Sequence, residues 1–243
     1  MGEGEKTVLS CKSGRMVIIE KSVRECAGNA RVLELAQEGH EEGYVLYSET
    51  EGEEAPSLFL SLLVRPVFHA ENAGLLSAAT AVAVSRAIER VSTAKVGIRW
   101  VNDLFADGEK LGAMMTSARV RPNGYFDYAV IGITLSLPSA LFESRLGDVV
   151  RRVFNGELRP LSARLTEAVV QEFFAIYDGL SGDRSFLEEY RRRSTVIGKR
   201  VKVLLGENYL PARVFGIGDD ATLHVRLRNG TEVAVASRSE VVF

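Results

Sequence analysis

The sequence predicts an α/β protein of the α+β kind, with a mixed β-sheet packed by helices and then a small β-barrel. Three observations carry that expectation. Apolar runs with strand character alternate with amphipathic helical segments as far as Ser194. The helical segment from Glu71 to Val91, "ENAGLLSAATAVAVSRAIERV", is apolar nearly all round, so it belongs inside a layered core. After Ser194 the rhythm changes to short alternating strands split by "GEN", "GDD" and "RNG", the pattern of a small barrel. A boundary is therefore expected near residue 195, between a domain of residues 1–194 and one of residues 195–243.

Taken in order, "RMVIIEKS" has the composition of a strand, and "VRECAGNARVLELAQEG" reads as an amphipathic helix stopped by Gly39. "EGYVLYSE" and "PSLFLSLLVRP" are two further strands, joined by an acidic turn that holds Glu51, Glu53 and Glu54 beside Gly52. After the buried helix, "KVGIRWVNDLFADGEKLGAMMTSARV" predicts strand, turn, strand, with "ADGE" supplying the hairpin and Met114 and Met115 in the core. Asn123-Gly124 is a turn signal ahead of the long strand "YFDYAVIGITLSL". Helices are expected over 139–154 and 160–179, with Pro160 in the first turn of the second, and "SFLEEYRRR" is a short charged helix.

The bulk numbers exclude several classes. A chain of 243 residues with 46% hydrophobic and 26% charged residues suits an ordinary globular protein. A formal charge of -2 gives no reason to expect a nucleic-acid partner or a membrane surface, and no run reaches the ~18 apolar residues of a membrane helix. Cys11 and Cys26 lack metal-ligand spacing, and three scattered histidines form no metal pattern. The start carries no basic-then-apolar leader, so a cytoplasmic protein is expected.

The sharpest local signal is "RWVNDLFADGEKLGAMMT", residues 99–116. Asn102 and Asp103 follow a strand and lead into a hairpin whose return arm carries Lys110. An amide, a carboxylate and an ammonium on adjacent strands suit a nucleotide or an activated carboxyl: oxygens for Mg²⁺, a cation for developing negative charge. Physics alone also permits a plain polar hairpin, with Asn-Asp making the turn and Lys110 solvated.

The same stretch resembles the biotin protein ligase signature, Lys-Trp-Pro-Asn-Asp, then a turn, then Lys-Leu-Ala-Gly-Ile-Leu. "RWVND" and "EKLGAMM" match it at the right separation, "AVIGITLSL" is similar to the family's Gly-Ile-Gly-Ile-Asn strand, and residues 195–243 resemble its SH3-like barrel. The resemblance covers nearly the whole chain. It implies joining of biotin to a carrier-protein lysine through biotinyl-5′-AMP, with ATP and Mg²⁺ as requirements and a biotin carboxyl carrier-type domain as partner. It assigns Lys110 to catalysis, and Arg99, Trp100, Asn102, Asp103 and Gly132 to the nucleotide and adenylate, with Asn102 and Asp103 as Mg²⁺ ligands. Candidates for the biotin pocket are Ser22, Glu49, Thr50, Gly52, Gly112 and Ala113. No helix-turn-helix precedes the match, so a repressor role is not implied, and a homodimer is compatible with the exposed sheet edges.

Where the family has an arginine- and glycine-rich phosphate loop, this chain has the short "ETEGEEAP". A carboxylate there opposes a phosphate by roughly 3 kcal/mol per unit-charge pair at 5 Å and an effective dielectric of 20, less in open solvent. Three functions follow from retained framework and lost loop. They are a divergent ligase, a non-catalytic protein that binds a carrier domain or small ligand on the ligase fold, and a ligase for lipoate or octanoate. If the acidic turn opposes nucleotide, changing Glu51, Glu53 and Glu54 to Gln should tighten ATP binding in a calorimetric titration. An unchanged affinity would refute that role.

Overall fold

The computed structural model describes residues 5–22, 28–50, 56–138, 160–236 and 240–243. The helix expected over 139–154 and the acidic turn with Gly52 lie outside them. Strands β1 (Lys6–Ser10), β2 (Met16–Lys21), β3 (Tyr44–Thr50), β4 (Ser57–Val64), β5 (Gly97–Arg99), β6 (Asp103–Ala106), β7 (Glu109–Val120) and β8 (Phe126–Ser136) form one sheet. Its order is β1-β2-β3-β4-β8-β7-β6-β5. β2 and β3 pair in parallel, and the other neighbours pair antiparallel. A parallel pair needs a crossover; helix α1 (Gly28–Gln37) supplies it.

Sequence sets these elements in recognisable ways. Gly39 ends α1 at φ +88°, where His40 N–H reaches the Leu35 carbonyl at 3.0 Å and Gly39 N–H the Ala36 carbonyl at 3.3 Å. That pair of bonds is the Schellman stop, and a side chain at this φ would strain it. Helix α2 (Ala73–Val91), preceded by a 3₁₀ turn at Ala70–Asn72, is buried along most of its length. Its buried hydroxyls fold back on the helix, Thr80 onto the Leu76 carbonyl and Ser85 onto that of Ala81, so neither is left unpaired. Helix α3 (Leu161–Tyr177) adds Phe173 and Phe174, both fully buried. Pro160 stands at its N-cap, one step ahead of the first turn. Helix α4 (Phe186–Arg193) completes this layer. No described helix is long and apolar enough to cross a membrane.

Two segments differ from expectation. β1 is an edge strand with four of its five residues exposed, so it lacks the apolar alternation that marks β2. The segment "KVGIRWVNDLF" makes two strands rather than one, because a turn at Trp100–Asn102 separates β5 from β6.

The chain then forms β9 (Arg200–Leu205), β10 (Asn208–Ile217), β11 (Leu223–Leu227), β12 (Glu232–Val235) and β13 (Val241–Val242). The expected small barrel is a five-stranded antiparallel sheet in the order β12-β11-β10-β9-β13. It shares one hydrophobic cluster with the large sheet. Hydrogen bonds fix the joint. Trp100 Nε1 donates to the Ala221 carbonyl at 2.9 Å, Arg191 Nε to Ile217 and Arg184 Nη1 to Asp219. The Tyr190 hydroxyl donates to Val101 and braces the Trp100 turn against helix α4.

Across the helix layer Arg193 holds Glu89 at 2.8 Å and Glu189 at 2.8 Å, and Arg86 holds Glu189 at 2.6 Å. The Arg193 bond lowers the Glu89 pKa. Burial pushes Glu189 up, but Arg86 and Arg193 outweigh it and the net shift is downward. Depressed carboxylate pKa values contribute stability above the ordinary value, and that contribution is lost as pH falls through the folded one. Arg193→Met should therefore cost roughly 2–3 kcal/mol at neutral pH. The gap to wild type should narrow below about pH 4; urea unfolding at both pH values checks this, and a constant gap would exclude the pairs as its source. On the sheet, a Cβ at Gly112 would lie 2.2 Å from the Thr134 carbonyl oxygen. Backbone must move to admit it, so Gly112→Ala should lower stability by roughly 1–3 kcal/mol in the same assay.

Candidate functional site: a hollow on the open face of the large sheet

Register decides which groups meet. Cα partners across a ladder share a face. Arg99 pairs with Asp103, Asp103 with Ala113, Ala113 with Thr134, Thr134 with Phe59, and Phe59 with Ser48. This is one straight row across β5, β6, β7, β8, β4 and β3, with neighbours about 4.8 Å apart. A second row beside it runs Met115, Gly132, Ser61, Leu46. Helix α1 covers one end of this face with Val32 and Ala36 against Leu46, Leu63, Tyr128 and Val130. Beyond the helix start a hollow of about 180 Å³ opens, lined by Asn29, Phe59, Ser61, Ala113, Gly132 and Thr134.

Lys110 joins this face through a bulge. Strict alternation from the core residue Met114 through Gly112 would turn Lys110 toward the helices. Instead Leu104 pairs with Gly112 and Phe105 with Lys110, which leaves Leu111 as the extra residue. Leu111 stays in the core at 3% exposure, and Lys110 reaches Asp103, Nζ to Oδ1, at 2.8 Å. Arg99 lays its guanidinium over the Phe105 ring at 4.0 Å and lies 5.8 Å from the ring of Phe243. The structure thus brings Arg99, Asp103, Lys110, Ala113 and Gly132 to one face.

Other expected residues stand elsewhere. Trp100 is 6% exposed, and its indole N–H is committed to Ala221. The Asn102 side-chain amide donates to the Met114 carbonyl, and the Met114 N–H returns a bond to the Asn102 carbonyl at 3.0 Å, so Asn102 clamps the turn onto β7. Gly112 pairs with Leu104 and Leu135, both core residues, and faces the helix layer. Glu49 pairs with the core residue Leu58, so it too lies on the helix side, where Lys21 holds it at 2.5 Å. Burial raises the Glu49 pKa, but hydrogen bonds from Lys21 and Ser162 outweigh it and hold the carboxyl below its ordinary value. Thr50 shares the face of Ser48, at the rim of β3. Ser22 follows β2 and donates its N–H to the Tyr47 carbonyl at 2.7 Å. Met115, expected in the core beside Met114, is 63% exposed and lines the hollow.

Asn29 and Ser61 were not singled out from the sequence. Ser61 Oγ donates to Asn29 Oδ1 at 2.5 Å, which turns the Asn29 NH₂ over Gly132. A Cβ at Gly132 would lie 2.2 Å from that nitrogen, so glycine is what admits the amide. Pairing Gly132 across to β4 by alternation points to Ser61, whereas nothing local marks Asn29. Among the described residues no cluster of three or more His, Cys, Asp or Glu side chains is placed to hold a metal. Asp103 is the one carboxylate of the row, and Lys110 holds it.

The sequence matches no protein-family model and no curated protein. Solved structures do match in fold. A biotin protein ligase-like protein of unknown function from Silicibacter sp. TM1040 superposes with TM-score 0.72 at 16% identity, over 95% of this chain and 97% of that one. A point mutant of Aquifex aeolicus biotin protein ligase, in complex with biotin, gives 0.67 at 14% identity, over 92% and 97%. The Aquifex aeolicus ligase in complex with biotin and ATP gives 0.62 at 16% identity, over 86% and 93%. The expected architecture is therefore the observed one, and this chain has the biotin protein ligase fold.

Proposed function

We propose that this chain is a biotin protein ligase-like enzyme that activates a small acyl acid, biotin in the first instance, in the hollow beside Ala113 and Gly132. The observation that carries the reading is the row Arg99–Asp103–Ala113–Thr134, which, with Lys110 drawn to it by Asp103, sets two cations and the hollow on one face of a ligase fold. An acyl chain lying along the row directs its carboxylate toward Lys110. Attack of a carboxylate oxygen on the α-phosphorus of ATP forms the acyl phosphate bond and releases pyrophosphate. A carrier lysine amine then attacks the acyl carbon and releases AMP. Lys110 and Arg99 stabilise the negative charge that gathers on the carboxyl and phosphoryl oxygens. Asp103 orients Lys110, and Phe105 positions Arg99 by stacking. Asp103, and Asn102 if its amide turns from the Met114 carbonyl, would hold a Mg²⁺ carried in by the phosphates, and that ion would supply further charge neutralisation. The carrier would be a biotin carboxyl carrier-type domain, and the setting the cytoplasm.

A second reading, a non-catalytic binder on the ligase fold, is favoured by one observation. The polar groups of the signature are already engaged within the protein: Trp100 with Ala221, Asn102 with Met114, Lys110 with Asp103. Calorimetric titration with biotin, lipoate and octanoate, with and without MgATP, separates the two. ATP-enhanced binding with pyrophosphate release supports the enzyme. In that case Lys110→Ala should cut pyrophosphate release about a hundredfold or more without unfolding the protein. Binding without pyrophosphate release would leave the binder, and activity surviving in the variant would remove Lys110 from the mechanism.

A further inference from the structure

The second sheet carries an arrangement unrelated to the hollow. Arg200 on β9 pairs with Arg213 on β10, and Arg213 pairs with Arg226 on β11. Three arginines thus stand directly opposite one another on the outward face, because their neighbours Val201, Ala212, Val214 and Val225 fill the core. Like charges placed opposite across a ladder destabilise a sheet, so folding alone gives no reason for the row. Glu232 on β12 answers Arg226 at 2.6 Å. Among the described residues no carboxylate pairs with Arg200, Arg213 or Arg228.

The same face is hollowed. A groove of about 690 Å³ is lined by these four arginines together with Ile197, Pro211 and Phe215. A β-bulge at Phe215 turns that ring outward at 42% exposure, beneath the Arg226 guanidinium at 5.3 Å and beside the His224 ring at 5.7 Å. Arginine forks complement carboxylates, while Ile197, Pro211 and Phe215 offer apolar contact between them.

We propose that this face is a docking surface for an acidic polypeptide segment with apolar residues between its carboxylates. Charge complementarity selects an anionic partner. The groove favours a peptide over a nucleic acid because single-strand binding relies on successive aromatic platforms, and Phe215 is the one aromatic ring among the residues that line the groove. An extended peptide presents side chains to one face every second residue, about 6.7 Å apart, against about 4.8 Å between neighbouring strands of the row, and the long arginine side chains span that difference to reach alternate carboxylates.

The test is calorimetric titration of the full chain with a synthetic peptide of alternating Glu and Val, and separately with a single-stranded dT oligonucleotide. The peptide should bind in low salt and weaken as salt rises. Arg200→Thr with Arg213→Thr, which keeps strand propensity, should bind it at least about tenfold more weakly. Losing two exposed cations elsewhere, Lys12→Ser with Lys95→Ser, should leave the affinity within about twofold of wild type. Circular dichroism reports whether each variant is folded; if the double variant is not, Arg213→Thr alone serves, with a smaller loss in the same direction. No binding by wild type, or equal binding by the arginine variant, would overturn the proposal. So would tighter binding of the oligonucleotide that the arginine variant loses, which would assign the face to nucleic acid.

Discussion

The ladder between β7 and β8 is the constraint on which the other distances depend. It closes because Gly112 offers no side chain to the Thr134 carbonyl, and every strand of the open face is placed by pairing outward from it. Through β8 it fixes β4 and hence Phe59 and Ser61; through β7 it fixes β6 and hence Asp103. The extra residue in β7, Leu111, then lets one strand serve both layers. Its apolar side chain stays in the core while the lysine before it turns to the opposite face. A single backbone irregularity thus separates packing from chemistry within three residues.

What the sequence made readable follows the strength of local physics. The Gly39 stop, the buried α2 and the turn-rich last sheet each rest on signals that tertiary contacts reinforce. β1 was not readable, because an exposed edge strand of five residues shows no apolar alternation. The candidate site was readable in part. Arg99, Asp103, Lys110, Ala113 and Gly132 do share a face, yet motif spacing alone does not say which face a residue takes. Glu49 and Gly112 fall on the helix side by the period-two rule applied to their core partners, and Trp100 is absorbed into the joint between the sheets. Asn29 was beyond reach for a different reason: its place over Gly132 exists only once α1 has crossed back over the sheet.

Charge is handled differently in three places. In the helix layer, acids and bases interlock, as in Glu89–Arg193–Glu189–Arg86, and the side chains are largely withdrawn from solvent. At the hollow, one carboxylate holds one ammonium and a neighbouring guanidinium rests on an aromatic ring, so positive charge is positioned rather than cancelled. On the outward face of the second sheet, arginines face arginines. The progression runs from groups that serve cohesion toward groups held against it, and stability is traded at the two surfaces for which recognition is proposed.

The joint between the sheets has an optical consequence. Trp100 is the protein's only tryptophan, it is buried, and its indole N–H is bonded to a carbonyl of the second sheet, while Arg99 precedes it directly on the row that leads to the hollow. Indole emission responds to that bond and to the polarity around the ring. The whole ultraviolet emission of the molecule beyond tyrosine therefore comes from one point where the two sheets meet. Any event at the hollow that shifts one sheet against the other is written into the colour of that emission, with no label attached.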